Sequence, residues 1–323
     1  YERQFSPRSY GFRPRRGCHD ALRGAQKIID DGYIYVVDLD LERFFDTVSH
    51  SKLIEILSRT IKDGRVISLI HKYLRSGVMS KGMFEASEEG TPQGGPLSPL
   101  LSNIMLNELD KELTSRGLPF VRYADDSMIF CKSKRAAKRV KESVTRFIEG
   151  KLHLKVNRDK TVVSYVQGVK YLGYSFYVMK DKCQLTVHPK AKSKMKAKLK
   201  ELTSRSNGWG YAKRKQKLEE YIKGWVGYYH LANMKRFLID MDEWLRRRLR
   251  MCIWKSWKRV KTRVANLVKC GIDKYQAYMW GNSRLGYWRI AGSYILCRAI
   301  TNKKLSMAGY ATLMGSYIEW HPK

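Results

Sequence analysis

Three aspartates stand where carboxylates can meet at one edge of a sheet. Asp40 lies at the end of an apolar run, residues 34–41, that is typical of a buried central strand. Asp125 and Asp126 lie between two short apolar runs, a pattern that predicts a β-hairpin with the pair in its turn. A hairpin beside the central strand would bring the three carboxylates together.

Carboxylates held close together repel one another and resist desolvation unless cations neutralise them. Mg²⁺ prefers oxygen ligands and usually keeps waters and substrate phosphates. Two ions on Asp40, Asp125 and Asp126 could therefore clamp the attacking and leaving oxygens of a nucleotidyl transfer. We predict two Mg²⁺ ions as cofactors, with Mn²⁺ as a substitute. An Asp-Asp turn alone is weak evidence, because Asp also favours turns through bonds to its own backbone.

The charge balance predicts a polyanionic partner. Lys and Arg number 63 against 30 Asp and Glu, which gives a formal charge of +33. An anionic membrane surface would also satisfy this charge, but no apolar run approaches the ~20 residues needed to span a bilayer. We therefore expect nucleic acid and no membrane. The six cysteines have no CxxC pair or zinc-ligand spacing, which favours reduced thiols in a cytosolic, bacterial or organellar, setting.

Composition divides the chain near His188. Before it, acidic residues and β-rich runs mix with helices; after it, the pattern is helical and strongly basic. Helical spacing of apolar residues is found at 53–57, 66–74, 100–113 and 137–148, and again at 218–229 and 237–253. We predict an α+β fold with two or three domains, the first of them ending near residue 188.

Several sequence blocks together resemble the group II intron reverse transcriptases. In the family's order they are Ser9-Tyr10-Gly11-Phe12-Arg13-Pro14, His19-Asp20-Ala21, Asp40-Leu41-Glu42-Arg43-Phe44-Phe45-Asp46 with His50, Gly90-Thr91-Pro92-Gln93-Gly94-Gly95-Pro96-Leu97-Ser98-Pro99, Tyr123-Ala124-Asp125-Asp126, Asn157-Arg158-Asp159-Lys160-Thr161, Tyr171-Leu172-Gly173-Tyr174 and Tyr221-Ile222-Lys223-Gly224-Trp225. The resemblance covers essentially the whole chain. It implies a right-hand polymerase of three domains. These are an antiparallel-sheet palm with part of the fingers at residues 1–188, a helical thumb or maturase domain at 189–265, and a helical extension at 266–323 similar to the family's DNA-target-binding region.

The resemblance implies that Asp40, Asp125 and Asp126 are the catalytic triad and the metal ligands, with Asp40 and Asp125 bridging both ions. Asp38 faces the same side of the strand and is the rival for the first position, but the family's Asp-x-x-x-Phe-Phe-Asp spacing selects Asp40. Phe45 falls where a bulky ring would crowd a ribose 2′-hydroxyl, whereas the neighbouring phenylalanine would point to the other face. Ordinary core packing is the alternative for Phe45.

Further nucleotide and primer contacts follow from the resemblance. Gln93 and Gly94 match the loop that packs against the incoming nucleotide and template, and Lys160 matches a lysine suited to the leaving pyrophosphate. Leu172 and Gly173 match the primer-grip hairpin. A structural turn is the alternative for the loop, and a solvated surface position is the alternative for the lysine.

Two basic stretches predict RNA contact, by charge and by resemblance to the maturase region. The predicted RNA-binding residues are Lys194, Lys196, Lys198, Lys200, Arg246, Arg247 and Arg250. Trp254 and Trp257 interleave with the second stretch and could stack on bases or belong to the core. Arg13 and Arg16 are candidates for template phosphate. A solvated face is the usual alternative for such charge runs.

We therefore expect an RNA-directed DNA polymerase that also binds its intron RNA as a maturase in splicing and retrohoming. Its predicted partners are group II intron RNA, an RNA template, a DNA primer or target, and deoxynucleotide triphosphates. One alternative is mainly an RNA-binding splicing cofactor with secondary polymerase activity; another is a related reverse transcriptase repurposed for phage defence or repair. The intact Tyr123–Asp126 block argues for retained catalysis, and the maturase-like block at Tyr221–Trp225 counts against the repurposed enzyme.

The chain opens at Tyr1 without an initiator Met, and the family places two fingers blocks ahead of the first match. We expect a fragment that is impaired in nucleotide binding, because the missing blocks include the fingers lysine and arginine that grip the triphosphate. No C-terminal histidine and cysteine cluster resembles the family's endonuclease, so target-strand cleavage is not expected.

Overall fold

The computed structural model describes residues 1–76, 78–80, 83–85, 89–91 and 95–322, with the backbone alone for 78–80 and 83–85. The chain forms two compact units, Tyr1–Gln184 and Leu185–Lys323. The division lies close to the boundary predicted at residue 188.

In the described residues the strands are β1 (Tyr35–Leu39), β2 (Val78–Ser80), β3 (Met83–Glu85), β4 (Phe120–Tyr123), β5 (Asp126–Cys131), β6 (Val162–Tyr165), β7 (Lys170–Tyr171), β8 (Tyr174–Met179) and β9 (Lys182–Val187). The helices of the first unit are α1 (Cys18–Asp30), α2 (Phe44–Thr47), α3 (His50–Thr60), α4 (Gly64–Arg75), α5 (Ser98–Ser115) and α6 (Lys134–Phe147). Those of the second are α7 (Pro189–Leu202), α8 (Tyr211–Tyr229), α9 (Lys235–Ser256), α10 (Val260–Lys269), α11 (Lys274–Gly281), α12 (Tyr287–Ala291), α13 (Tyr294–Ala299), α14 (Asn302–Met307) and α15 (Leu313–Glu319).

The first unit is built on a four-stranded antiparallel sheet in the order β4-β5-β1-β6. β1 lies in its interior, and Val36, Val37 and Leu39 are buried, which confirms the predicted central strand. β4 and β5 pair through Tyr123 and Asp126, which confirms the predicted hairpin.

Helices α3, α5 and α6 bury their apolar faces in the core of the first unit. The helices predicted at 53–57, 100–113 and 137–148 are confirmed. The last continues into a π-helical turn, Ile148–Leu152, which is capped by His153. α4 also forms as predicted, but Val66 and Leu69 are exposed while Leu74 is buried. Helical spacing shows which residues share a face, and the long-range packing decides which face is covered.

The second unit is helical, as predicted for the basic part of the chain. α8 and α9 span the predicted stripes and bury residues such as Ile222, Val226 and Leu245. Trp254 and Trp257 are also buried, which decides for the core over base stacking. The domain boundary predicted at 265–266 falls inside α10, and both sides of it belong to the second unit. This boundary stays a prediction.

All six cysteines are free. Among the residues described, no helix is both long and apolar enough to cross a membrane.

Candidate active site

The end of β1 and the β4–β5 turn lie side by side. In the antiparallel register, Asp38 is opposite Met128 and Leu39 is opposite Ser127. Continuing this register by one residue brings Asp40 opposite Asp126. The structure therefore brings together the carboxylates that the sequence placed on separate elements.

The backbone of Asp40 is fixed by the block at residues 157–161. The Asp40 carbonyl accepts a bond from the Asn157 amide at 2.9 Å, and the Asp40 amide donates to the buried Thr161 hydroxyl at 3.2 Å. Lys160 lies between these two anchors, and its Nζ is 3.9 Å from Asp40 Oδ1. The lysine side chain is largely exposed, so its charge reaches the carboxylate from the solvent side.

Two carboxyl groups of this cluster, Asp126 and Asp38, have raised pKa values. Desolvation raises the pKa of Asp126 despite its partial exposure, and the charges of Asp125 and Asp40 raise it further. Desolvation, followed by Asp126 and Asp40, raises the pKa of Asp38 to about 6. Lys170 acts in the opposite direction on both groups, but repulsion and desolvation prevail. Such a cluster is an unfavourable concentration of negative charge that a bound cation would relieve.

The hairpin predicted to be the primer grip lies next to this cluster. Leu172 (φ 49) and Gly173 (φ 83) form its two-residue turn between paired Tyr171 and Tyr174. Tyr171 is buried, and burial followed by the charge of Asp126 raises its pKa well above the usual value. Its hydroxyl has no hydrogen-bond partner among the described residues. Leu172 and Gly173 therefore directly follow Tyr171, the side chain whose pKa is raised in part by the charge of Asp126.

The donor chemistry fits a divalent cation that a substrate completes. In the described part of the chain, no group of three or more His, Cys, Asp or Glu side chains could hold a metal ion. Mg²⁺, however, is commonly held by one or two carboxylates together with substrate phosphates and waters. Asp40 and Asp125 would supply two such carboxylates, and the electrostatic coupling within the cluster favours a cation there.

The two adjacent phenylalanines differ in burial. Phe44 is buried in the core, while Phe45 is half-buried with its ring centroid 5.4 Å from that of Phe44. The Phe45 carbonyl accepts a bond from the Thr91 amide at 2.6 Å, and His50 Nε2 lies 2.6 Å from the Gly90 carbonyl. The start of the predicted nucleotide loop is therefore anchored beside Phe45. Gln93 and Gly94 lie outside the described residues, so their contacts stay predictions.

The lysines of α7 and the arginines of α9 differ in their surroundings. Lys194, Lys196, Lys198 and Lys200 are exposed, while Met195, Leu199 and Leu202 form the buried face of α7. Lys196 Nζ lies 5.6 Å from the centre of the Trp244 ring, and Lys198 pairs with Glu201 at 2.7 Å. All four ammonium groups are placed where a phosphate could approach them.

Arg246 and Arg250 are buried inside the second unit, which contradicts their predicted contact with RNA. Arg246 Nη2 donates to Ser306 Oγ at 3.1 Å, and Arg250 Nε donates to the Ile300 carbonyl at 2.8 Å. Desolvation lowers the pKa of both guanidinium groups. They hold the C-terminal helices in place rather than offer a charge to RNA. Arg247 is only half-buried, and its guanidinium stacks 4.1 Å from the centre of the Trp288 ring.

Arg13 and Arg16, which were predicted to contact template phosphate, also donate hydrogen bonds to protein groups. Arg13 is buried and donates to Glu2 Oε1 at 2.7 Å from Nη2, so its predicted phosphate contact was wrong. Arg16 Nη1 donates to the Pro7 carbonyl at 2.6 Å. Both side chains tie the N-terminal segment together.

Sequence reasoning did not identify the side chains that fix the backbone next to the candidate metal ligands. Thr161 and Asn157 fix Asp40, and the buried Arg122 bonds the carbonyl of Ala124 next to Asp125. A signal was present for Arg122, since it is a charged residue inside an apolar strand, and a buried charge requires a partner.

Comparison with known proteins agrees with this geometry. Residues 2–176 match the family model described as reverse transcriptase (RNA-dependent DNA polymerase), which is more than half of the chain. The chain belongs to the reverse transcriptase family. Residues 192–271 of this reverse transcriptase match a second model, the group II intron maturase-specific domain. The resemblance drawn from the sequence blocks is thereby confirmed.

Two curated relatives illustrate the kinship. Protein YkfC of Escherichia coli is 35% identical, over 54% of this chain and 56% of its own length. The group II intron-encoded protein LtrA of Lactococcus lactis is 30% identical, over 55% of this chain and 40% of its own length. This reverse transcriptase therefore matches about half, or less, of the length of these relatives. Among solved structures, apo telomerase of Candida tropicalis aligns with 96% of this chain and 57% of its own, at a TM-score of 0.45 and 16% identity.

Proposed function

We propose that this chain polymerises DNA on an RNA template and binds group II intron RNA as a maturase. The coupled carboxylates at the end of β1 and in the β4–β5 turn, inside the matched reverse transcriptase region, carry the first half of this proposal. The maturase-domain match at 192–271, with exposed lysines on α7, carries the second half.

Reverse transcriptases in general require a divalent metal. We assign its binding to Asp40, Asp125 and Asp126, where bound Mg²⁺ would supply neutralisation of charge on the reacting phosphate. The reaction is attack of a primer 3′-hydroxyl on the α-phosphate of a deoxynucleotide. Lys160, whose ammonium lies near Asp40 and faces solvent, is suited to the charge of the leaving pyrophosphate. The hairpin at Leu172 and Gly173 would support the primer end beside the carboxylates.

Primer extension tests the polymerase half of the proposal. At deoxynucleotide concentrations high enough to offset the weak nucleotide binding expected of this chain, the purified protein, a DNA primer annealed to an RNA template and Mg²⁺ should give template-length DNA. A chelator should stop the synthesis. Reactions that omit the template measure terminal addition. Extension that did not depend on the RNA template, or none at all while intron RNA was still bound with high affinity, would favour the splicing cofactor without polymerase activity.

Phe45 is the proposed ribose discriminator. Phe45→Val should admit a 2′-hydroxyl, because it removes the half-buried ring anchored beside the nucleotide loop. We expect the ratio of kcat/KM for deoxynucleotides to that for ribonucleotides to fall roughly 10-fold to 100-fold, the range of a lost steric contact. Steady-state single-nucleotide incorporation measures it.

The matched control is Phe44→Val, which also shrinks an adjacent ring but does so inside the core. This control should lower the unfolding temperature and leave the discrimination ratio unchanged. If Phe45→Val kept wild-type discrimination with activity intact, Phe45 would be ordinary core and the discriminator would lie elsewhere.

For the C-terminal helices we propose contact with target DNA, as the sequence resemblance implied. α11 exposes Tyr275, Tyr278 and Met279, with Lys269 and Lys274 close by in the chain. Exposed aromatic side chains between cationic ones suit a nucleic acid surface.

A further inference from the structure

A fully buried ion pair lies directly behind the turn that carries Asp125 and Asp126. Arg122 of β4 and Asp110 of α5 both have side chains with 0% exposure. Arg122 Nε donates to Asp110 Oδ1 at 2.8 Å and Nη2 donates to Oδ2 at 2.6 Å. This two-bond geometry fixes the plane of the guanidinium group.

The third guanidinium nitrogen is directed at the turn. Arg122 Nη1 donates to the Ala124 carbonyl at 2.9 Å and to Asn103 Oδ1 at 3.0 Å. Ala124 is the residue immediately before Asp125 and has a left-handed backbone, with φ 57. Since residues other than glycine adopt this conformation at a cost, the surrounding contacts must hold it.

The N-terminal segment packs against the same turn. Asn103 Nδ2 donates to the Gly11 carbonyl at 2.9 Å. A Cβ on Gly11 would lie 2.2 Å from the Ala124 nitrogen, so any side chain there would displace the turn. The Tyr10 amide donates to the Arg122 carbonyl at 2.9 Å, which covers the edge of β4. The turn is therefore held between a charged network and a close-packed backbone.

We propose that Arg122, Asp110 and Asn103 are positioning residues that set the place of Asp125 and Asp126 for metal binding. The inference rests on the proposed polymerase function. Buried ion pairs commonly add no more stability than a well-packed apolar pair of similar volume. An apolar pair, however, could not hold the Ala124 carbonyl. Loss of the network should therefore act on metal affinity and catalytic rate even where stability is kept.

The decisive variant replaces the pair with apolar residues, Arg122→Met together with Asp110→Leu. This change avoids leaving one buried charge without its partner. We expect an unfolding temperature near that of the wild type and Mn²⁺ binding, followed by electron paramagnetic resonance, weakened by about 10-fold or more. We also expect kcat to fall by about 100-fold, the scale of a misplaced reactive group, with little change in KM for deoxynucleotides.

The matched control is Arg116→Met with Glu112→Leu, which removes a partly exposed ion pair at the C-terminal end of α5. It should keep wild-type Mn²⁺ affinity and kcat. Asn103→Ala removes the bond from Arg122 Nη1 and the bond to the Gly11 carbonyl but leaves the buried ion pair intact. It serves as a second, milder variant with a smaller loss in the same two quantities.

The outcomes separate the hypotheses. A stable apolar pair with wild-type Mn²⁺ affinity and kcat would overturn the positioning role. If that variant did not fold, Asn103→Ala would decide by the same measurements: weaker Mn²⁺ binding supports the role, and unchanged binding overturns it. Wild-type protein that bound Mn²⁺ but extended no primer would refute the proposed function, whereas the Mn²⁺ comparison would still test the network.

Discussion

Asp125→Asn should abolish DNA synthesis and leave the fold and RNA binding intact. The substitution keeps the size of the side chain but removes one negative charge from the cluster of Asp40, Asp125 and Asp126, which we propose holds the metal ions. Since that charge would anchor cations that stabilise the reacting phosphate, we expect kcat to fall by ~10³-fold or more, equivalent to ~4 kcal/mol. Primer extension on an RNA template measures the loss.

The matched control is Asp159→Asn, which makes the same chemical change at an exposed aspartate of the block beside Lys160. It should retain most of the activity. Circular dichroism and the unfolding temperature exclude misfolding as the cause of any loss. Near-normal primer extension by Asp125→Asn would show that the metal assignment is wrong. A parallel loss of splicing in a folded protein would show that the two functions are not separable.

Reversing Lys194, Lys196, Lys198 and Lys200 to Glu should weaken intron RNA binding and splicing. Each phosphate contact releases counterions, so affinity should depend steeply on salt, with a log–log slope of up to about −0.9 per neutralised phosphate. Removing these contacts should flatten the slope and weaken binding by roughly 10-fold to 1,000-fold near physiological salt. Titration of intron RNA at several salt concentrations, together with splicing rates, gives both quantities.

A matched control reverses four exposed lysines of the first unit, Lys134, Lys138, Lys151 and Lys155, and so changes the net charge equally. A smaller loss of RNA affinity in this control would show that binding depends on local contacts of α7 rather than on the net charge of the protein. Two partial reversals test which lysines contribute most to RNA binding. Lys194 and Lys198 lie on one side of α7, whereas Lys196 lies over the Trp244 ring. Reversing Lys194 and Lys198 should therefore weaken RNA binding more than reversing Lys196. Wild-type slope and splicing after the fourfold reversal would place RNA recognition elsewhere, most readily on the exposed cations at 255–261.

Much of the framework was predictable because it depends on local periodicity. Alternation and apolar runs identified β1 and the β4–β5 hairpin, and spacing of three and four residues identified α5, α6, α8 and α9. The order of the sequence blocks indicated the family, which the match at residues 2–176 confirmed. These features could be predicted because each is specified by a pattern within a short stretch of the chain.

Charge runs misled for a physical reason. Arg246 and Arg250 read as a nucleic acid surface, yet both are buried because carbonyl and side-chain oxygens about 50 or more residues further along the chain accept their hydrogen bonds. Arg246 Nη1 has no partner among the described residues, so acceptors satisfy only part of that guanidinium. A sequence does not reveal which distant acceptors will be near. Trp254 and Trp257, which interleave with this stretch, are likewise buried in the core.

The sequence by itself determined the element types, the family and the three aspartates as a candidate site. Only the tertiary structure decided what fixes them: Thr161 lies 121 residues from Asp40 along the chain, and Gly11 lies 92 from Asn103, yet each pair is joined by a hydrogen bond. Such contacts depend on the register of the sheet and on the path of the N-terminal segment rather than on any local pattern. Periodicity is encoded residue by residue, whereas the pairing of buried polar groups is settled only when the whole unit packs and each group must find a partner.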